Sequence, residues 1–449
     1  MSNTLQIVAP ACFEAEKKYI IDVILNEFLG LPYELSFTDV AHYIIVLPNQ
    51  KKLFFLDSFF AHFDEQEGYL SLNNIPSKVS FIENPFLKEK DLPVIFGNSD
   101  LSISEEIINS GVDIFASSFF MLTRWEEYVN KERDQHDRFL GSFSLAHKNE
   151  FLHRPIVNEY VEMLWEMLLR LGFEGKRKKH QFNWLITHDI DVLKKWMSYK
   201  KIFRTFFGDI FLRKNIWQAL RSFKSWAFTK IGLVKDPFDR YQFLMDISEK
   251  MGTKSHFFFM AGGTSKYDNE YEIEQAKEII SNIRNRGHEV GFHPSYNAHN
   301  NVSQFNKEKA RLEKVIGGNV KTGRQHFLRC ELPQTMQQWD DAEMHWDSTL
   351  GYADEPGFRC GVCYEYPYFN FVSRKKLEIR QKPMILMEAS LVNYKNCTPE
   401  ETRAEISFYV KQVKKYQGDF VFLWHNSSFE LSPFEGYEFL YESFVTENE

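Results

Sequence analysis

Two carboxylates one residue apart close a short apolar run near the middle of the chain. The run is Trp184–Ile190, and Asp189 and Asp191 stand at its end. Because side chains alternate along a strand, both carboxylates are expected on the same face. Carboxylates this close can divide two tasks, since a cation bound by one leaves the other as a base and separates their pKa values. On its own the pattern is weak, because turns are rich in Asp.

More residues that could do chemistry end later apolar runs, and in chain order they are His293, Arg324, His326, Asp347 and His425. A single histidine at the end of a strand is more often structural than catalytic. The joint occurrence of carboxylates, imidazoles and a guanidinium at several strand ends is far less expected by chance. Such a set is typical of a metal-dependent hydrolase.

The elements that must position these residues alternate between strands and helices from Trp184 onward. The predicted strands are Trp184–Ile190, Ser255–Met260, Glu289–His293, Arg324–Leu328, Trp346–Leu350, Pro383–Ala389 and Phe420–His425. The predicted helices between them include Glu272–Arg286, Lys307–Val315 and Pro399–Tyr416. This alternation predicts parallel strands joined by right-handed crossovers. About seven strands predict an α/β fold, a distorted (β/α) barrel with its chemistry at the carboxyl ends of the strands.

Residues 1–175 are predicted to form a mixed α/β accessory domain that precedes the barrel. Its predicted elements are the strands His42–Leu47, Lys52–Phe55 and Pro93–Phe96 and the helices Glu14–Phe28, Asp113–Tyr128 and Pro155–Leu171. Trp125, Glu126 and Glu127 either line a site or form the end of a helix. The charged stretch Glu174–His180 is typical of a solvated linker. The barrel domain is therefore expected over residues 176–449.

The composition is that of a soluble globular protein, with 43% hydrophobic and 26% charged residues among 449. A net charge of −8 argues against nucleic acid as a partner. The cysteines are odd in number, which disfavours a disulfide framework, and Cys360 and Cys363 lack the second pair of a four-thiolate zinc site. The sequence contains no apolar run of membrane-spanning length and no secretory signal, so a cytoplasmic location is expected.

The order and spacing of the polar residues resemble the polysaccharide deacetylase family, also called NodB-homology or carbohydrate esterase family four, over residues 184–430. The resemblance implies a distorted barrel that uses a divalent metal to remove N-acetyl groups from an amino sugar or glycan. The resemblance implies that Asp189 is the catalytic base and that Arg324 orients it. It implies that Asp191 and His293, the last residue of the motif Gly287–His293, are metal ligands. It also implies that His425, in the motif L-x-H, is the catalytic histidine and that Asp347 orients it.

One ligand of the family pattern is missing from this chain. The second motif of the family is H-x-x-x-H, but Asn297 stands four residues after His293, and His299 lies two residues further. An amide is a poor ligand for zinc. The third motif usually has Pro where this chain has His326, which a strand would place beside Arg324. We therefore predict the metal ligands Asp191, His293 and His326, with His299, Asn297 or an impaired, metal-free site as alternatives.

A site of one carboxylate and two imidazoles suits Zn2+, with Co2+ or Ni2+ also compatible with these ligand types. In the implied chemistry Asp189 takes a proton from water, and His425 protonates the departing amine. Leu423 is expected to line a pocket for the acetyl methyl group. Trp424 either stacks on a sugar or packs in the core, and Arg359 either contacts an anionic substrate or forms a salt bridge. His188 is interpreted as structural.

The predicted function is a metal-dependent N-deacetylase acting on an N-acetylated carbohydrate, in the biosynthesis of a surface polysaccharide. One alternative is a non-catalytic carbohydrate-binding or assembly protein on the same barrel. The other is an amidohydrolase for a small cyclic amide.

An insertion at residues 192–235 is basic and aromatic in an otherwise acidic chain. It contains many Lys and Arg but only one acidic residue, Asp209, and its cations alternate with Phe and Trp. The first interpretation is a helical cover that packs its aromatic side chains on the barrel. Such segments also suit peripheral contact with an anionic membrane surface, here the inner face of the membrane, or contact with an anionic glycan.

Overall fold

Side chains alternate between more buried and more exposed along four N-terminal strands, as expected where one face is covered; these are Leu5–Pro10, Tyr33–Thr38, His42–Val46 and Lys52–Leu56. A computed structural model describes residues 3–89, 91–197, 199–268, 271–430, 434 and 437–446. The strands of the N-terminal part are β1 (Leu5–Pro10), β2 (Tyr33–Thr38), β3 (His42–Val46), β4 (Lys52–Leu56), β5 (Ser80–Glu83), β6 (Asp91–Val94), β7 (Gly97–Ile103) and β8 (Ile107–Val112). Six of them form a mixed sheet in the order β2-β1-β3-β4-β8-β7, while β5 pairs with β6.

The helices of this part are α1 (Glu14–Asp22), which continues as a π-helix over Val23–Phe28, α2 (Ile114–Thr123), α3 (Trp125–Val129), α4 (Leu145–Lys148) and α5 (Ile156–Arg170). Helix α2 is buried on all sides because its side chains are apolar or small. Asp113 caps it by accepting a hydrogen bond from the backbone N–H of Ala116 at 2.9 Å. The prediction of one helix over Asp113–Tyr128 is wrong, because Arg124 has a left-handed backbone (φ 55°) that separates α2 from α3.

The middle of the chain alternates between strands and helices, as predicted. The strands are β9 (Asn183–Ile190), β10 (His256–Phe259), β11 (Glu289–Phe292) and β12 (Thr322–Gly323). The helices are α6 (Tyr199–Phe207), α7 (Ile216–Lys230), α8 (Tyr241–Lys250), α9 (Lys277–Asn285) and α10 (Val302–Ile316). Strand β10 is parallel to both β9 and β11, and β11 is parallel to β12.

The remaining elements are α11 (Gln334–Asp341), β13 (Trp346–Asp347), β14 (Tyr366–Asn370), β15 (Lys375–Gln381), β16 (Leu386–Met387), α12 (Pro399–Tyr416), β17 (Asp419–Leu423) and α13 (Tyr437–Thr446). Strand β15 is parallel to β13 and antiparallel to β14. The β14–β15 hairpin was not predicted from the sequence.

The chain divides into two compact units that do not follow its order. Unit one comprises Met1–Trp184, Phe327–Ser390 and Glu405–Val421. Unit two comprises Leu185–His326, Leu391–Ala404 and Phe422–Glu449. The division into domains at residues 175 and 176 stays a prediction.

The predicted barrel is found in part. Parallel strands joined by helices are present in unit two as the run β12-β11-β10-β9. The strands of the described residues do not close into a barrel, and β14–β15 adds an antiparallel pair. The observed class is mixed α/β with parallel strands, and the count of about seven parallel strands stays a prediction.

Candidate metal centre

The candidate site lies at the carboxyl ends of the parallel strands of unit two. Asp189 is in β9 in register with Phe258 of β10, while Phe259 at the end of β10 is in register with Phe292 of β11. His293 directly follows β11. Because parallel strands end at the same edge, polar residues at their ends come together.

Close packing of β12 on β11 brings Arg324 to this edge. A Cβ atom at Gly323 would lie 2.0 Å from the carbonyl oxygen of Phe292, so only glycine permits this approach. The next residue, Arg324, donates its backbone N–H to the same oxygen at 3.1 Å.

The tautomers of two imidazoles follow from their hydrogen bonds to the main chain. His293 Nδ1 lies 2.7 Å from the carbonyl oxygen of Arg324, and His326 Nε2 lies 2.8 Å from that of Tyr267. A carbonyl only accepts, so each of these nitrogens carries the proton. In these neutral tautomers, the lone pairs lie on His293 Nε2 and His326 Nδ1. Imidazoles that ligate a metal are oriented in this way.

The two lone pairs face each other and a carboxylate. His293 Nε2 lies 3.0 Å from His326 Nδ1, and Asp191 Oδ1 lies 3.2 Å from the first and 3.3 Å from the second. Facing lone pairs repel each other unless a proton or a metal ion lies between them. Within the described residues, these three side chains are the group of His, Cys, Asp and Glu whose ligand atoms are near enough to hold one metal ion.

The residues fit a divalent cation of the zinc type. Ligand atoms about 2.0–2.1 Å from one zinc ion at tetrahedral angles lie about 3.3–3.4 Å apart, within a few tenths of an ångström of the separations found here. Asp191 Oδ1 is buried and faces a nitrogen of each imidazole. One carboxylate oxygen and two imidazole nitrogens are also ligands that zinc prefers.

Electrostatics at the three ligands favour a bound cation. Burial alone would raise the pKa of Asp191, but His326 and His293 in their protonated forms hold that pKa well below its usual range. Burial would lower the pKa of His326, but Asp191 outweighs it and raises that pKa. The ligand set therefore keeps its carboxylate ionised and attracts positive charge.

The second carboxylate is held apart from the ligands by an arginine. Arg324 Nη1 donates to Asp189 Oδ1 at 2.9 Å, and both side chains are buried. The other oxygen, Asp189 Oδ2, lies 3.8 Å from His293 Nε2. The guanidinium of Arg324 also lies over the ring of Phe258 at 5.3 Å. Asp189 therefore borders the ligand group while its carboxylate is paired with a fixed cation.

His425 joins the group from the end of β17. Its Nε2 lies 3.7 Å from Asp191 Oδ2, and its side chain is 18% exposed to solvent. It is thus near the ligands and reachable by solvent. Asp347 lies in unit one, where its carboxylate accepts a hydrogen bond from the backbone N–H of Thr349 at 2.9 Å. The predicted pairing of Asp347 with His425 stays a prediction.

The other residues singled out from the sequence have structural surroundings. His188 contacts the carbonyl oxygen of Trp424 at 2.7 Å and Ser255 Oγ at 3.2 Å, in line with its interpretation as structural. Trp424 is buried and stacks on Phe429 at 5.5 Å, so it packs in the core, and Leu423 is buried beside it.

Arg359 forms a salt bridge, which was one of the two roles expected for it. It is buried in unit one, where Nε donates to Glu127 Oε1 at 2.9 Å and Nη1 to the carbonyl oxygen of Gly351 at 2.7 Å. Arg124 donates to the same Glu127 oxygen at 2.9 Å. Burial raises the pKa of Glu127, but Arg359 and Arg124 together leave it lowered. A substrate contact by Arg359 gains no support from these contacts.

The geometric reason for choosing His326 was wrong, although His326 does lie in the ligand group. The predicted strand Arg324–Leu328 does not exist, since β12 ends at Gly323. Phe327 and Leu328 both have left-handed backbones, with φ of 60° and 57°. Instead of strand alternation, the backbone N–H of His326 donates to the carbonyl oxygen of Pro294 at 3.2 Å. His299 is buried but outside the ligand group.

Several supporting groups were not predicted from the sequence. Asp268 accepts from the backbone N–H groups of Ser265 at 2.6 Å and Tyr296 at 2.7 Å, and so ties together the loops that carry Tyr267 and His293. Glu308 accepts from the N–H of Ser295 at 2.9 Å. These residues lie in loops or on a helix without a motif, so no local pattern could have identified them.

Comparisons with known proteins give one family match and several distant structural likenesses. A family of unknown function, DUF7033, matches residues 5–172. No curated protein matches the sequence. Proteins of known structure described as polysaccharide deacetylases resemble about 60% of the chain.

One of them, from Mycobacterium smegmatis, is 14% identical with a TM-score of 0.39, and the match covers 60% of this chain and 84% of that one. Another, from Pseudomonas aeruginosa PAO1, is 10% identical with a TM-score of 0.36, over 62% of this chain and 90% of that one. A CE4 family pseudoenzyme from Bacillus anthracis is 14% identical with a TM-score of 0.28, over 48% of this chain and 57% of that one. Likenesses this distant leave the function to be inferred from the geometry of the site.

Proposed function

We propose that this protein is a metal-dependent hydrolase that removes N-acetyl groups from an amino sugar or glycan. The observation that carries the proposal is the convergence of Asp191, His293 and His326 beside a separate carboxylate, Asp189, which an arginine holds. Hydrolysis by activated water requires a metal-ligand group with a separate base beside it.

The roles of the residues follow from their positions. Asp191 Oδ1, His293 Nε2 and His326 Nδ1 would hold the divalent ion, Zn2+ by ligand type, with Co2+ or Ni2+ also compatible. When bound, such an ion polarises a carbonyl and lowers the pKa of water. Asp189 accepts the proton from the attacking water, and Arg324 holds the Asp189 carboxylate in position through its hydrogen bond.

His425 completes the reaction on the side that solvent reaches. It donates a proton to the departing amine, and Asp347 orients it in our proposal. Leu423 contributes to the wall of a pocket for the acetyl methyl group. The acetamide of an N-acetylated sugar is the bond that these groups would break, and a precursor of a surface polysaccharide, handled in the cytoplasm, is the substrate class we propose.

The experiment is acetate release from a panel of N-acetylated sugars and oligosaccharides by protein loaded with Zn2+. Asp189→Asn serves as the matched control, because it removes the base and leaves the three ligands in place. Release by the wild type and none by the variant would support the proposal. Bound metal without acetate release from any acetamido sugar would point to a carbohydrate-binding protein, and turnover of small cyclic amides alone would point to an amidohydrolase.

A further inference from the structure

A basic helical hairpin extends through residues 199–235 of unit two. It consists of α6, a π-helical turn at Gly208–Leu212, and α7, and we call it the basic hairpin. Buried Asp209 holds its turn together by pairing with Arg213 and accepting a hydrogen bond from Ser222 Oγ at 2.9 Å. The rings of Phe206 and Phe223 lie 6.2 Å apart between the two arms.

The base of the basic hairpin is anchored by one carboxylate. Asp236 accepts the backbone N–H groups of Lys195 at 2.7 Å and Trp196 at 2.9 Å. Trp196 also donates its Nε1–H to Ser225 Oγ on α7 at 3.0 Å. The two arms are therefore a defined structure joined to unit two at both ends.

The basic hairpin exposes an unusual number of large apolar side chains. Leu212 is 86% exposed, Trp217 74% and Phe211 70%. The others are Phe203, Phe207, Ile216, Leu220, Phe223, Phe228, Ile231, Leu233 and Val234. On each arm they recur at helical spacing, with Phe203, Phe207 and Phe211 on the first and Ile216, Leu220 and Phe223 on the second. A helical cover would bury these rings, so that alternative does not fit the structure. Exposed apolar side chains concentrated in one segment to this extent mark an interaction site.

The exposed charged side chains on the described part of the basic hairpin are all cationic. The exposed cations with described side chains are Arg204, Arg213, Lys214, Arg221, Lys224, Lys230 and Lys235. The one acid of the segment, Asp209, is buried and already paired with Arg213. Within the described part of the basic hairpin, Asp209 therefore offsets only Arg213, and the segment keeps a net positive charge.

We propose that the basic hairpin binds the surface of an anionic lipid bilayer. Apolar side chains would enter the boundary of the acyl chains while the cations meet the lipid phosphates, which is how amphipathic helices lie in a membrane interface. Among the described helices, none combines the length and apolar character that crossing a bilayer requires. The contact that we propose is between the basic hairpin and the bilayer surface.

Two other occupants fit less well. A second copy of this chain would bring cations against cations across a symmetric contact, and like charges facing each other cost affinity. An anionic glycan would satisfy the cations and stack on the aromatic rings, but it offers nothing to the exposed aliphatic groups of Leu212, Ile216 and Ile231. A lipid surface accounts for both the charge and the aliphatic side chains.

The test is flotation of the full chain with vesicles of phosphatidylcholine, with and without phosphatidylglycerol, at low and high salt. We expect binding to the anionic vesicles that salt weakens. The triple variant Lys214→Glu, Arg221→Glu, Lys224→Glu should lose at least roughly a hundredfold in affinity, because each cation near such a surface contributes about 1 kcal/mol and about 1.4 kcal/mol is tenfold. The matched control reverses exposed lysines elsewhere, Lys18, Lys78 and Lys307, and should bind like the wild type.

A second variant tests the apolar part. Phe211→Gln with Leu212→Gln and Trp217→Gln changes only exposed side chains, so the fold should persist, yet vesicle binding should fall. The control Leu72→Gln, at an exposed site in unit one, should have no effect.

Three results would overturn the proposal. The first is failure of the wild type to bind anionic vesicles at low salt, and the second is an equal loss of vesicle affinity in both charge-reversal variants. The third is self-association of the free chain that the glutamine variant alone abolishes, because this would assign the basic hairpin to contact with a second copy. Asp189→Asn should float like the wild type, because membrane binding does not depend on the proposed hydrolysis.

Discussion

Replacement of His326 by Ala is the sharpest test of the candidate site. The change removes the nitrogen that lies 3.0 Å from His293 Nε2 and 3.3 Å from Asp191 Oδ1, and leaves a carboxylate and one imidazole. Loss of a hydrogen-bond partner behind a ligand costs about 10–100-fold in metal affinity. Loss of the ligand itself should exceed that range, so we expect zinc affinity to fall by more than about 100-fold.

The assay is competition for Zn2+ against a chromophoric chelator, with His299→Ala as the matched control. His299 is also buried, but it lies outside the ligand group, so its replacement should leave zinc affinity nearly unchanged. Circular dichroism and thermal unfolding of the metal-free variants separate lost ligation from lost folding.

A ligand swap adds a readout that a structural role would not produce. His326→Cys should retain metal binding, since thiolate is a good zinc ligand, and its Co2+ form should gain a thiolate charge-transfer band absent from the wild type. The reasoning is refuted if His299→Ala loses more zinc affinity than His326→Ala. It is also refuted if His326→Cys binds Co2+ without the new band.

Four further substitutions have expected outcomes. Asp189→Asn should abolish acetate release and keep stoichiometric metal by elemental analysis; loss of the metal would mean that Asp189 is itself a ligand. His425→Ala should reduce kcat by roughly 10²–10⁴-fold at unchanged metal content, and release of the metal would make His425 a ligand. Arg359→Met should lower the free energy of unfolding in urea by about 3–5 kcal/mol, because it leaves Glu127 with one buried partner fewer; a stable variant with a raised KM would restore the substrate contact. Gly323→Ala should lower that free energy by about 1–3 kcal/mol or more, and an unaffected variant would show that β12 can move away from β11.

The strands that carry the site were predictable where their apolar runs are continuous. β9, β10 and β11 are buried over at least their last two residues, as expected for parallel strands covered on both faces, and the polar residues Asp191 and His293 directly follow β9 and β11. Asp189, Asp191 and His293 could therefore be placed at one edge from the amino-acid sequence alone. The ion pair of Arg324 with Asp189 lies where the family resemblance implied it.

Short and irregular elements defeated the same reasoning. β12 has two residues, and the left-handed Phe327 and Leu328 end any strand that the pattern of residues 324–328 suggests. β14 contains Pro367, which disfavours prediction of a strand. The assignment of Phe327–Ser390 to unit one depends on contacts with residues distant in the chain, which no local pattern reports. The ion-pair network of Arg124, Glu127 and Arg359 was likewise not predictable from any local pattern.

The two imidazoles are anchored by main-chain oxygens, those of Arg324 and Tyr267. The proposed metal binding and the proposed hydrolysis can therefore be lost independently in evolution. A carbonyl is present whatever side chain a residue carries, so mutation at positions 267 and 324 cannot delete the groups that aim His293 and His326. The base has no such protection, because Asp189 depends on the guanidinium of Arg324. Under the proposed roles, one substitution at either residue would leave a descendant that still binds a metal ion but no longer catalyses hydrolysis.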